Sequence, residues 1–304
     1  MHSNPWVANT NNMKSLRLKY CAFALLATFF WGGCHSKPNA PNSINPPISQ
    51  EGSIDNQPLE QDSFENDTTL NPPSAPVLDP DVWDLSDIDV SEIDSNRKLI
   101  SFTFDDAPSR LLENLYVIFA SFNEANPDCK ASATLFFNGY LFDKDTPHLL
   151  HAAKTLGFEL GNHTQSHHDL TTLSEEELAV EIDATDALLK YADGKERHLL
   201  RPPYGSFNES VKQQAKTPII SWNVDTLDWT GRTADEIYQT VYDQRQSGTI
   251  VLMHDGYQAT LDALKRLLPD LKQDGYQVVS VSQMAKMHGC TLRRGNVYIR
   301  ARKQ

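Results

Sequence analysis

The sequence predicts an α/β barrel of roughly seven strand-and-helix units, preceded by a disordered tether. Three observations support this prediction. Short apolar runs typical of strands alternate with helical patterns after residue 96. Polar side chains follow the ends of these apolar runs, which is where a β/α barrel builds its site. Residues 35–80 are instead rich in proline and acidic residues, a composition that buries too little apolar surface to fold.

The order of the predicted elements favours a parallel sheet covered by helices. Strands are predicted at 99–104, 133–138, 158–162, 198–200, 218–224, 249–253 and 277–280. Helices are predicted near 110–122, 148–156, 208–216, 233–246 and 260–273, and one more begins after Ser174, which forms a capping box with Glu177. Alternating units of this kind form an open doubly wound sheet or a closed barrel, and their number favours the barrel.

The first 34 residues are typical of an export signal, which predicts a protein of the bacterial cell envelope. A basic stretch that begins at Lys14 precedes an apolar run at 20–31, and the small residues before Cys34 are typical of a lipoprotein processing site. The position of the basic stretch favours Met13 as the true start. The alternatives to lipidation of Cys34 are cleavage of a plain signal peptide nearby and retention of the apolar run as an anchor.

The acidic charge is concentrated before the predicted barrel. The whole chain has a formal charge of -13, and residues 35–96 carry thirteen Asp and Glu against one Lys. We therefore expect residues 35–80 to form an acidic, proline-rich linker and residues 81–96, which regain apolar side chains, to form a strap on the domain. The remainder is only mildly acidic, so we expect no nucleic-acid partner, membrane contact only through the signal or a lipid, and a monomer.

Two cysteines remain beyond the predicted signal. Cys129 and Cys290 would both lie in an oxidising compartment, where a disulfide could form. Their spacing does not show that they meet, so two separate buried thiols are the equal alternative.

Polar side chains end or follow successive predicted strands. They are Asp105, Asp106, His163, Arg201, Asp225, Asp228, His254 and Asp255. Because the carboxyl ends of barrel strands meet at one end of the barrel, we expect these side chains to share a site.

A metal ion is one ligand that this set could bind. His163 and His167 are four residues apart, so on a helical turn both imidazoles would project from one face, whereas His168 would point away. Alone, the pair is better explained as a helix cap or as a solvent-facing pair. A carboxylate from the Asp105–Asp106 doublet would complete the ligand set of a catalytic zinc site and leave the other acid as a general base.

Six motifs in order resemble the polysaccharide deacetylases that share a NodB-like domain, also called carbohydrate esterase family 4. They are T-F-D-D-A-P at 103, A-T-L-F-F-N-G at 133, H-T-Q-S-H at 163, R-P-P-Y-G at 201, D-T-L-D-W at 225 and L-M-H-D-G at 252. The resemblance implies a distorted (β/α)7-type barrel over residues 97–290, followed by a C-terminal tail at 291–304.

The resemblance also implies four catalytic residues. Asp105 would be the base, and Arg201 would hold it through a charge-assisted pair. His254 would be the general acid that protonates the leaving amine, and Asp228 would orient that imidazole and raise its pKa. Asp225 is an alternative partner for His254.

The remaining implied roles concern metal and substrate. The metal would be a divalent ion, usually zinc, with cobalt, nickel and manganese as alternatives, and its ligands would be Asp106, His163 and His167. The backbone N–H of Tyr204 would stabilise the oxyanion. Trp229 and Leu252 resemble residues that line the pocket for the acetyl methyl, although ordinary core packing would explain them equally well.

The implied reaction removes N-acetyl groups from an amino-sugar polymer such as peptidoglycan, poly-N-acetylglucosamine or chitin oligomers. The alternatives are an O-acetyl esterase acting on xylan, a non-catalytic envelope protein that binds glycan, and an iron(II) site for oxygen activation. One residue departs from the family pattern, because Ala107 replaces the usual glycine. If that position needed a positive φ, the alanine would cost about 1 kcal/mol.

Overall fold

The computed structural model describes residues 79–302. The predicted signal peptide, the candidate lipidation site at Cys34 and the predicted linker up to residue 78 lie outside the described residues. Within residues 79–302, no helix is both long enough and apolar enough to cross a membrane.

Strands and helices alternate along most of the described chain. The elements are β1 Lys98–Ala107, α1 Leu112–Ala125, β2 Thr134–Phe137, α2 Thr146–Thr155, β3 Glu159–Asn162, α3 Glu175–Asp193, β4 Leu199–Leu200, α4 Glu209–Ala215, β5 Ile219–Ile220, β6 Val224–Asp225, α5 Ala234–Gln244, β7 Thr249–His254, α6 Gln258–Gln273, β8 Tyr276–Val278, α7 Val281–Met287 and β9 Val297–Tyr298. Ser174 caps α3 through the predicted capping box with Glu177.

The strands form one parallel sheet in the order β6-β7-β1-β2-β3-β4-β5-β9, and β8 pairs with the start of β1. β1 therefore lies between β7 and β2. A single antiparallel bridge between Thr249 and Arg300 joins the β7 side of the sheet to the chain just after β9. The predicted distorted β/α barrel is confirmed. The barrel is least regular between β7 and the chain after β9, where this one bridge takes the place of a continuous strand pairing.

β1 shows how the sequence pattern positions the site. Its residues 99–105 are all buried, which fits a parallel strand covered on both faces. Phe102 and Phe104 pack in the outer core with the helices. Thr103 and Asp105 point to the opposite face, where both side chains accept hydrogen bonds from Arg201.

The strand predicted at 218–224 is wrong as a single element. Its first part, β5, pairs with β4 and β9, whereas its last part, β6, pairs with β7. The run must therefore leave one strand ladder and join another across the incomplete part of the barrel. The break exposes the carbonyl of Ser221, which accepts a hydrogen bond from Arg201 at 3.1 Å.

The chain after Cys290 is part of the barrel rather than the expected tail. β9 pairs with β5, and the side chains of Leu292 and Ala301 are fully buried. Cys129 and Cys290 are both buried and free, so the structure contains the separate thiols and not the disulfide.

The predicted strap, residues 81–96, packs against the inner core at the end of the barrel where the strands begin. Trp83, Leu85 and Ile93 contact the core cluster that contains Leu99, the inward-facing residue at the start of β1. The Lys286 ammonium donates hydrogen bonds to backbone carbonyls of the strap at residues 86 and 88.

A repeated turn shapes this strap. Four aspartates at five-residue intervals each accept a hydrogen bond from the backbone N–H two residues further on: Asp79, Asp84, Asp89 and Asp94. These Asx turns place the acidic side chains in solvent while the apolar residues between them face the barrel.

We expect Trp83→Ala to lower the free energy of unfolding by about 1–3 kcal/mol, because it removes a partly buried indole from the inner core. Chemical denaturation of the purified protein would measure the change. Trp229→Ala is the matched control, since that side chain is 54% exposed and its loss should cost less than about 0.5 kcal/mol. Equal stability of the two variants would contradict a packing role for the strap.

Candidate active site

The predicted catalytic and metal-binding side chains meet at the carboxyl end of the sheet. Asp105 and Asp106 lie near the end of β1, and His254 ends β7 in register with Asp105. His163 follows β3, and its Nε2 lies 3.7 Å from a carboxylate oxygen of Asp105 and 3.6 Å from one of Asp106. The two adjacent acids therefore reach the same imidazole.

An unusual backbone conformation makes this possible. Neighbouring strand residues normally point to opposite faces, but Asp106 has a φ of 64°. Left-handed backbone at a non-glycine residue costs of order 1 kcal/mol and clusters at functional sites. Of the six such residues in the described chain, five flank this site: Asp106, Thr164, His167, Tyr204 and Leu227.

Three side chains form a cluster that could hold one metal ion. The ligand atoms of Asp106, His163 and His167 all lie within 4.8 Å of one another. The Nδ1–H of His163 donates to the carbonyl of Arg201 at 2.6 Å, which leaves its Nε2 lone pair facing the cluster. Burial lowers the pKa of His163 despite the nearby acids, and the neutral imidazole is the form that binds metal. Two imidazoles and a carboxylate fit a zinc-type ion and leave positions open.

Residues 163–167 do not form the helical turn that would have put both imidazoles on one face. This segment is an irregular loop with positive φ at Thr164 and His167, and it brings the two histidine rings to a centroid distance of 5.0 Å. The Asn138 amide donates to the His163 carbonyl, and the Glu181 carboxylate of α3 accepts from the Ser166 N–H at 2.7 Å. Hydrogen bonds from neighbouring elements thus hold the loop.

His168 lies outside the ligand cluster, as expected. Its imidazole is exposed and lies 3.6 Å from Glu181.

Asp105 is a buried carboxylate held by a buried guanidinium. Its Oδ1 accepts from Arg201 Nη1 at 2.8 Å, and Arg201 is fully buried, with further hydrogen bonds to Thr103 Oγ1 and the carbonyl of Ile220. Burial alone would raise the pKa of Asp105. The charge and hydrogen bond of Arg201, together with the charge of His254, outweigh that effect and hold the pKa below its ordinary value, so Asp105 stays ionised.

His254 has the opposite electrostatic environment. Its Nδ1–H donates to Asp228 Oδ1 at 2.8 Å, and its side chain is 14% exposed. Burial alone would lower its pKa, but the hydrogen bond to Asp228 and the charges of three aspartates raise the pKa to about 9. Asp225 does not take this position, because its carboxylate accepts from the N–H of Leu227 instead.

The predicted substrate residues differ in exposure. The Tyr204 ring is 69% exposed and packs edge-on against His167, and its backbone N–H has no acceptor among residues 79–302. Trp229 is 54% exposed, which excludes the alternative explanation that it is an ordinary residue of the barrel core. Leu252, by contrast, is buried in β7.

Ala107 does not adopt the conformation that would make the replacement of glycine costly. The positive φ in this motif belongs to the preceding residue, Asp106, while Ala107 is a buried residue at the end of β1. The exchange therefore leaves the backbone unstrained at this position.

The sequence predictions assigned no role to three buried residues that lie beside the catalytic groups. Thr103 bonds to Arg201, and the hydroxyl of Thr260 donates to Asp228 Oδ2 at 2.6 Å. Asp255, noted only as ending a strand, accepts the N–H of Ser109 at 2.9 Å, and burial raises its pKa to about 7. The only sequence feature that could have identified Thr103 is its position two residues before Asp105, which places both side chains on the same face of the strand.

Comparison with known proteins shows the same family throughout. A family model described as polysaccharide deacetylase matches residues 92–218. A peptidoglycan-N-acetylglucosamine deacetylase of Bacillus cereus is 34% identical over 204 residues, covering 64% of this chain and 92% of that protein.

Two further relatives are longer than the matched region. The peptidoglycan-N-acetylmuramic acid deacetylase PdaC of Bacillus subtilis is 33% identical over 195 residues, which are 64% of this chain and 40% of PdaC. A solved PdaC structure is 32% identical, has a TM-score of 0.57 and matches over 64% of this chain and 93% of its own. A bifunctional xylanase/deacetylase of Pseudobutyrivibrio xylanivorans is 30% identical over 64% of this chain and 31% of its own length. On these matches and this site, the chain belongs to the polysaccharide deacetylase family.

Proposed function

We propose that the protein is a metal-dependent hydrolase that removes N-acetyl groups from an amino-sugar polymer and releases acetate. One observation carries the proposal. An ionised buried acid, Asp105, and an imidazole with a raised pKa, His254, both lie beside the ligand cluster of Asp106, His163 and His167. Hydrolysis of an amide needs both a base and an acid, and two groups with opposed environments supply them.

Asp105 is suited to take a proton from the attacking water. Its carboxylate is ionised, and the hydrogen bond from Arg201 fixes its orientation. As the water oxygen bonds to the acetamide carbon, the proton passes to Asp105 and the carbonyl oxygen becomes an anion. The backbone N–H of Tyr204 would donate to that anion; its φ of 61° and its lack of an acceptor among residues 79–302 support this role.

His254 is suited to complete the reaction. Collapse of the tetrahedral species breaks the carbon–nitrogen bond, and the amine nitrogen needs a proton to leave. The raised pKa keeps His254 protonated at neutral pH, and Asp228 orients its ring. The products are acetate and a free amine on the sugar.

A divalent ion, most simply zinc, would be held by Asp106, His163 and His167. When bound, it would supply Lewis-acid polarisation and lower the pKa of bound water. Cobalt, nickel or manganese would suit the same donors.

Peptidoglycan is the substrate that we favour. The relatives from Bacillus cereus and Bacillus subtilis are named as peptidoglycan deacetylases, and the predicted export signal supports an envelope location. Chitin-type oligomers and poly-N-acetylglucosamine carry the same acetamide. The similarity to a bifunctional xylanase/deacetylase favours O-deacetylation of xylan as the second candidate.

Removal of metal should abolish acetate release, because the proposed open coordination positions would be lost. The test is to incubate the purified protein with peptidoglycan, acetylated glucosamine oligomers and acetyl xylan before chelation, after chelation and after zinc is restored. His163→Ala should lower the bound metal per chain, measured by elemental analysis.

His168→Ala is the control, because that imidazole lies outside the cluster and should leave metal content unchanged. Release from acetyl xylan alone would select the esterase. Release from no substrate with metal restored would reject the enzymatic proposal altogether.

A further inference from the structure

We propose that Tyr140 and Tyr257 bind the sugars on either side of the reacting sugar, so that the site favours a polymer over a single sugar. This inference rests on the proposed deacetylase function and adds two binding positions to it. We call these two side chains the flanking tyrosines.

The sheet order places the flanking tyrosines on opposite sides of the catalytic acids. Asp105 and Asp106 lie near the end of β1, which has β2 on one side and β7 on the other. Tyr140 follows β2, and Tyr257 follows β7. Two strands that flank a third lie about 10 Å apart, which is wider than one sugar ring.

Each flanking tyrosine is joined to the catalytic machinery. The backbone N–H of Tyr140 donates to the carbonyl of Gln165 at 2.8 Å, so it is tied to the loop that carries His163 and His167. The ring of Tyr257 packs edge-on against His254 with centroids 5.9 Å apart. A sugar bound on either ring would therefore lie next to the sugar that reacts at the catalytic residues.

Their exposure distinguishes the flanking tyrosines from structural ones. Tyr140 is 58% exposed and Tyr257 is 37% exposed, and neither hydroxyl bonds to another residue within 79–302. Of the other tyrosines in residues 79–302, six donate their hydroxyl to another residue, as in Tyr116 to the Leu149 carbonyl and Tyr238 to Asp270. Tyr191, which lies away from the site, is the exception. The flanking tyrosines instead keep both an apolar face and a free hydroxyl available.

Sugars of a β-linked polymer suit such groups. A pyranose ring presents C–H bonds on its face, which pack on an aromatic ring, and hydroxyl or acetamide groups at its edge, which bond to a phenol. One tyrosine on each side of the acids would hold the chain across the site and place the intervening acetamide beside Asp105.

The test compares substrates of different length. For the wild type and each variant, kcat/KM is measured by acetate release from N-acetylglucosamine and from its oligomers up to the hexamer. In Tyr140→Ala and Tyr257→Ala, the ratio of kcat/KM for the hexamer to that for the single sugar should fall about tenfold, the scale of one aromatic contact. Tyr140→Phe and Tyr257→Phe, which keep the ring, should retain most of that ratio.

Tyr191→Ala is the matched control. That ring is 92% exposed near the end of α3, at the opposite end of the barrel from the site, and the ratio should not change. A loss that is equal for all lengths, or a wild type with no preference for longer oligomers, would overturn the flanking role while leaving the deacetylase function in place. A wild type that releases no acetate with metal restored would overturn both.

Discussion

Asp105→Asn should reduce kcat by about 10²–10⁴-fold while the bound metal per chain stays unchanged, because the amide accepts no proton. Asparagine retains an oxygen that can accept the hydrogen bond from Arg201, whose guanidinium is fully buried. Alanine would remove that acceptor as well as the negative charge, at a cost of about 3–5 kcal/mol in stability, and would confuse misfolding with lost chemistry.

The measurement combines acetate release, metal content and thermal unfolding on the same preparation. Asp225→Asn is the control, since its carboxylate bonds locally to Leu227 and contacts neither histidine of the cluster. Full activity of Asp105→Asn would refute its assignment as base. Loss of metal together with activity would instead make Asp105 a ligand.

Asp228→Asn should lower kcat/KM and move the alkaline limb of its pH profile to lower pH. The general acid must be protonated, so activity is present below the pKa of His254 and is lost as pH rises through it. That pKa is raised to about 9, in part by the hydrogen bond and charge of Asp228. Removing the negative charge lowers the pKa, and the limb follows. A bound dication would lower the limb in both proteins alike.

The contacts of Asp228 predict that this variant is also less stable. Four donors converge on the carboxylate: the His254 ring and backbone N–H, the Thr260 hydroxyl and the Trp229 N–H. An asparagine must turn its NH₂ group toward two of them. Profiles of kcat/KM against pH for the wild type, Asp228→Asn and Asp225→Asn give the comparison. An unmoved alkaline limb in Asp228→Asn would show that another group controls it.

The residues of the candidate site could be predicted from the sequence, but their relative geometry could not. His163 and His167 were recognised as a pair through helical spacing, yet they meet through a loop with two left-handed residues. The spacing correctly paired the two histidines, but the helical geometry behind that inference does not occur. The loop conformation instead depends on Asn138 and Glu181, which come from other elements. The choice between Asp225 and Asp228 likewise needed the position of β7 beside β6.

The amino-acid sequence was sufficient to predict most of the strands and helices in order, the end of the barrel that carries the polar side chains, and the family to which the chain belongs. Periodicity and short motifs depend only on residues close together in the chain, so they can be recognised from the sequence alone. Three features became visible only in the folded protein: adjacent acids reach one imidazole, a predicted strand divides between two ladders, and residues beyond 290 complete the sheet. These three features depend on backbone angles and on contacts between residues distant in sequence. The packing of the whole barrel, rather than local propensity, determines which of these conformations is the most stable.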